Sequence, residues 1–83
     1  MIRILFFAGL RERLHTAELE LPAGHIATAG DIISDLSQRG PDWAEAFADD
    51  TPVMIAINQT MARPASKVVD GDEVAFFPPV TGG

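Results

Sequence analysis

Few side chains in this sequence could do chemistry. His15 and His25 are the two imidazoles, Ser34, Ser37 and Ser66 the three serines, and cysteine is absent. Each histidine stands among turn or loop residues, with no second ligand at helical or hairpin spacing to suggest a metal site or a general base. No serine has an adjacent base or a nucleophile-elbow context. Gly24, Gly30, Gly40 and Gly71 are too scattered to cradle a phosphate, and the acidic residues do not follow a calcium-loop pattern. Without thiols there are no disulfides, thiolate nucleophiles or cysteine zinc clusters. The sequence therefore predicts no metal site, no bound cofactor and no catalytic constellation of its own.

The end of the chain is different. Pro78-Pro79-Val80-Thr81-Gly82-Gly83 follows an apolar run and closes on a diglycine, an ending that average glycine usage would produce in only ~0.5% of chains. The prolines favour extended polyproline geometry, and Val80-Thr81 discourages helix. Six extended residues reach about 20 Å. Gly82 and Gly83 lack Cβ atoms, so such an arm fits a channel too narrow for other residues and can present its carboxylate there. No ionisable side chain follows Glu73, so threading the arm into a protein desolvates only the terminal carboxylate. A carboxylate is a poor electrophile, and its use requires activation, most simply to an acyl adenylate made from ATP by another protein. The activated carbonyl of Gly83 can then accept sulfur or an amine.

A domain must hold this arm. At 83 residues the chain is one small domain that buries only about 60 to 65% of its unfolded surface. Ile2 to Phe7 reads as a strand with Ile2, Ile4 and Phe6 on one face. Leu10 and Leu14 suit a short helical turn. Thr16 to Leu21 alternates, with Ala17, Leu19 and Leu21 facing inward, and Pro22 closes it. Thr28 can cap a helix from Ala29 to Arg39, with Asp31 in its first turn, Ile32, Ile33 and Leu36 buried, and Gly40-Pro41 as the stop. Asp42 with Glu45 suggests the cap of a shorter helix whose apolar side is Trp43, Ala46 and Phe47. Val53 to Ile57 reads as a strand, followed by Asn58-Gln59-Thr60 and an irregular stretch; Asp70-Gly71 marks a turn, and a last strand from Val74 to Phe77 must end at Pro78.

This order predicts an α+β fold, a mixed sheet with helices on one face, spanning residues 1–77 with a tail at 78–83. With the helices covering Ile2, Ile4, Phe6, Val74 and Phe76, the period of two leaves Leu5, Phe7, Ala75 and Phe77 on the opposite face. Side by side, these form an apolar patch that suits a protein partner.

Twelve acidic residues against six basic ones give a net charge of −6, which disfavours binding to nucleic acid. The apolar opening lacks a preceding basic region, and Arg11, Glu12 and Arg13 interrupt it, so it does not read as a signal peptide. No apolar run approaches the roughly 20 residues of a membrane span. The expectation is a cytoplasmic protein without membrane or nucleic-acid partners.

These residues carry a family resemblance. Ile4-Leu5-Phe6-Phe7-Ala8, Arg11-Glu12, Ala56-Ile57-Asn58-Gln59-Thr60 and the unbroken run from Asp70 to Gly83 resemble the small subunits of molybdopterin synthase, sulfur carriers with the ubiquitin-like β-grasp fold. The resemblance implies that an adenylyltransferase of the ubiquitin-activating type transfers AMP to Gly83 and that a sulfur donor enzyme converts it to a thiocarboxylate. The tail, Pro78, Pro79, Val80, Thr81 and Gly82, then inserts into a large synthase subunit, in a heterotetramer of two small and two large subunits. Sulfur from Gly83 would build the dithiolene on cyclic pyranopterin monophosphate. Such a chain is not an enzyme by itself. Two rivals share the diglycine: a ubiquitin-like modifier, which joins Gly83 to lysines, and a thiamine-pathway sulfur carrier. A plain interaction module with an inert tail is a third.

Overall fold

The computed structural model describes residues 1–79. Strands β1 (Ile2–Phe6), β2 (Glu18–Leu21), β3 (Met54–Ile57), β4 (Thr60–Ala62) and β5 (Glu73–Phe77) form one sheet, and helices α1 (Ala8–Leu14), α2 (Ala29–Ser37) and α3 (Pro41–Ala46) complete the chain order. The strand order is β2-β1-β5-β3-β4. Only β1 and β5 run parallel; the other three pairings are antiparallel. The mixed sheet with helices on one face agrees with the α+β expectation, and with its central last strand it is the ubiquitin-like β-grasp architecture that the resemblance implied.

Alternation along the strands decides the two faces. Ile2, Ile4, Val74 and Phe76 have no exposed surface and Phe6 only 1%, because Ile4 pairs with Val74 and Phe6 with Phe76 in register. Ile32 and Leu36 of α2 are equally buried against them. The core is strongly aromatic at one end. Phe6 stacks on Phe76 with centroids 6.1 Å apart, Trp43 meets Phe6 edge-on at 5.5 Å, and Phe47 meets Phe76 edge-on at 5.3 Å. Each such pair adds roughly 0.5–1.5 kcal/mol beyond area burial.

Helix α2 begins as its composition dictates. The amide of Asp31 donates to the Thr28 hydroxyl at 3.3 Å, and the amide of Thr28 donates to the Asp31 carboxylate at 3.1 Å, a complete capping box that satisfies amides with no partner inside the helix. The helix ends at Ser37, two residues before the expected Arg39, where Gln38 and Arg39 make tighter hydrogen bonds to Asp35 and Leu36.

The structure corrects four other expectations. The second strand starts at Glu18, not Thr16, because His15 adopts a left-handed φ of 54° and Thr16 turns back onto the carbonyls of Arg11 and Leu14. Ala17 is exposed, not inward-facing. Asp42 does not cap α3: Gly40 occupies that position, Pro41 begins the helix and Asp42 lies in its first turn, since the fixed φ of proline suits the first helical residue. The stretch after Asn58-Gln59 is not irregular at its start, because Thr60–Ala62 returns antiparallel along β3 as β4. Asn58 and Gln59 both have positive φ, 49° and 70°, the pattern of a two-residue hairpin turn that follows the twist of the sheet.

Candidate functional site

Register places the predicted patch residues together. Leu5 lies opposite Ala75, Ala75 opposite Ala56, and Ala56 opposite Met61, so one row crosses β1, β5, β3 and β4 on the face away from the helices. A second row pairs Phe77 with Met54. Phe7 follows β1 with extended backbone, φ −124° and ψ 157°, and its amide donates to the carbonyl of Phe76 at 3.1 Å. Phe7 is 46% exposed and Met61 56% exposed, while Leu5, Ala75, Phe77 and Met54 are half-buried. None of the four sequence-predicted patch residues enters the core.

The same face changes character along the strands. Toward the start of β5, Arg3 lies opposite Glu20 and Glu73, and its guanidinium pairs with Glu18 at 2.8 Å and Glu73 at 3.7 Å. These pairs are exposed and add little stability. Toward the end of β5 the face is apolar, and that is where Pro78 leaves the sheet. Pro78 and Pro79 are half-buried; Val80, Thr81, Gly82 and Gly83 lie outside the described residues.

Sequence reasoning missed three members of this surface, Met54, Met61 and the buried Ala56 between Ala75 and Met61. Met54 joins because antiparallel pairing sets it against Phe77, and Met61 because β4 exists. A hairpin signal was present in Asn58, which tolerates positive φ, but Gln59 occupies the place where glycine usually announces the turn.

The base of β5 is tied by polar contacts. Asn58 donates its amide to the Glu73 carbonyl at 2.8 Å and accepts the Glu73 amide on its side-chain oxygen at 3.0 Å. Its side-chain amide donates to Asp72 at 2.9 Å, and Asp72 also accepts the Val69 amide at 2.9 Å. These two donors, Val69 first, hold the Asp72 carboxyl below the usual range. Asp70 pairs with the N-terminal ammonium, which lowers its carboxyl likewise.

Elsewhere the described residues hold no group of three or more histidine, cysteine or acidic side chains that could bind a metal. His15 and His25 are exposed. A cleft of about 360 Å³ between α2, Phe47 and β3 is lined by Ile33, Pro52, Val53, Ile55 and Pro64, with Asp49 its one ionisable side chain. No described helix is long and apolar enough to cross a membrane. The arrangement is suited to gripping: an apolar surface lies beside the point at which the chain leaves its central strand.

Comparison with known proteins agrees with this architecture. The chain is 43% identical over 83 residues to the molybdopterin synthase sulfur carrier subunit of Haemophilus influenzae, and 41% identical to that of Escherichia coli K12, covering 100% of both chains in each case. Among solved structures it is similar to SAMP1, a small archaeal modifier protein from Haloferax volcanii, with a TM-score of 0.79 and 29% identity over 99% of this chain and 98% of that one. The ThiS family profile matches residues 4–83, and the chain belongs to the ThiS family.

Proposed function

We propose that this chain is the sulfur carrier subunit of a molybdopterin synthase. The observation that carries the proposal is 43% identity across all 83 residues to a protein of that name. The geometry supports it by joining an apolar face to the strand end from which the arm departs. In this mechanism an adenylyltransferase of the ubiquitin-activating type uses ATP to convert the Gly83 carboxylate to an acyl adenylate. Sulfur from a donor enzyme displaces AMP and leaves a thiocarboxylate. Gly82 and Gly83, at the tip of the arm formed with Pro78, Pro79, Val80 and Thr81, then enter the large synthase subunit. Two small subunits on two large ones deliver sulfur to cyclic pyranopterin monophosphate. Leu5, Phe7, Ala75 and Phe77 provide the docking surface, joined by Met54 and Met61. The chemistry at the pterin belongs to the large subunit, and this chain is at once its co-substrate and its subunit.

The likeness to an archaeal modifier protein favours a second reading, in which activated Gly83 forms isopeptide bonds with lysines. Intact-mass measurement after co-expression with the activating enzyme and a sulfur donor separates the two. The expected product is the chain heavier by the difference between a sulfur and an oxygen atom. An unchanged mass accompanied by lysine conjugates would replace the carrier proposal with the modifier one.

A further inference from the structure

Two exposed thioethers sit in very different places. Met1 and Met61 are each 56% exposed. Met1 precedes β1 at the Asp70-Gly71 turn, to which it is held by the Gly71 amide at 3.0 Å. Met61 ends the apolar row formed with Ala56, Ala75 and Leu5. Met54, in the adjacent row, is half-buried. Methionine suits a surface that must repack against different partners, because its side chain is unbranched and polarizable. The same sulfur is open to two-electron oxidants, which convert it to a polar, chiral sulfoxide.

We propose that Met61 is a redox-sensitive element of the docking face, at which sulfoxide formation weakens binding to the large synthase subunit and reduction restores it. The inference rests on the outer sheet face being the surface that meets that subunit. In the step, a hydroperoxide transfers one oxygen to the Met61 sulfur. The O–O bond breaks and an S–O bond forms; the thioether loses two electrons, and the peroxide is reduced to water or an alcohol. Reversal by a methionine sulfoxide reductase consumes two thiols, which become a disulfide, and releases water. The sulfoxide oxygen needs a hydrogen-bond partner, and the side chain of Ala56, paired with Met61 across β3 and β4, has none to give. Docking would strip its water without replacement, which is unfavourable.

The test treats the full chain with hydrogen peroxide, maps the oxidised methionines by peptide mass spectrometry, and titrates the product against the purified large synthase subunit. Oxidation is expected at Met1 and Met61 before Met54, with a fall in affinity of roughly tenfold for a polar group at a buried interface position. Met61→Leu conserves volume, and peroxide should leave its affinity close to its own untreated value although Met1 is oxidised. Unaltered binding by the Met61 sulfoxide, or an equal peroxide-induced loss in Met61→Leu, would overturn the proposal. A separate arm oxidises the preformed complex. Protection of Met61 but not Met1 supports the docking face, and oxidation of both at the free rate would overturn that face itself. Protection combined with full affinity of the sulfoxide would remove the redox element alone.

Discussion

The amide of Phe7 donates to the carbonyl of Phe76 across 3.1 Å, extending the parallel β1–β5 ladder one residue beyond β1. Phe7 and Phe77 are thereby brought to the same end of the sheet, where the chain turns into Pro78. The ring of Phe6 points the other way into the core, 1% exposed, while Phe7 stays 46% exposed. Phe7→Ala and Phe77→Ala should each weaken binding to the large synthase subunit by about 1–3 kcal/mol if the rings anchor the interface. Titration calorimetry measures this, and unchanged affinity in both variants would exclude the outer face as the docking surface.

A residue added after Gly83, or its deletion, should abolish thiocarboxylate formation and sulfur transfer. The described core ends at Phe76, so the melting temperature should not change. Intact mass and thermal unfolding of the same samples provide the check. Sulfur transfer by the extended chain would refute the assignment of Gly83 as reacting residue.

Thr28→Ala removes the hydroxyl that accepts the Asp31 amide and should cost about 1 kcal/mol of stability. Thr28→Ser, which keeps the acceptor, should recover most of it. Urea unfolding of the three proteins measures the difference; equal midpoints would mean that the cap contributes nothing.

Three carboxylates titrate below their usual range. Asp31 is lowered by the amides of Ala27 and Thr28, Asp70 by the N-terminal ammonium, and Asp72 by the Val69 amide and the Asn58 side chain. A depressed folded value means that the unfolded chain binds more protons in the window between the two values, so stability rises with pH there. The contribution is complete above the ordinary carboxylate value of about 3.9 and is lost as pH falls through the lower folded values. Asp72→Asn, which cannot titrate, should make that acid decline shallower in urea unfolding followed against pH. An equally steep decline would contradict the role of Asp72.

Much of this architecture was legible because it is written in local terms. Period-two alternation identified the buried faces of β1 and β5 residue by residue, and Thr28 with Asp31 located the start of α2. Boundaries that depend on a turn's backbone were less legible. His15 in the left-handed region delays β2, and Pro41 moves the α3 cap from Asp42 to Gly40.

The residue types of the amino-acid sequence by themselves determined the Pro78-Pro79 and Gly82-Gly83 pairs and the lack of ionisable side chains after Glu73, together with which residues of β1 and β5 share a face. Pairing of strands far apart in the chain was decided only by the tertiary structure. The apolar row runs from residue 5 to 75 to 56, and no local pattern encodes such steps, whereas its last step to Met61 crosses a local hairpin. The long-range steps follow from the packing of Phe6, Phe76 and Ile55 against α2 and α3, which sets the register of β5 between β1 and β3. Met54 belongs to the surface for that reason: burial of one face chose the neighbours on the other.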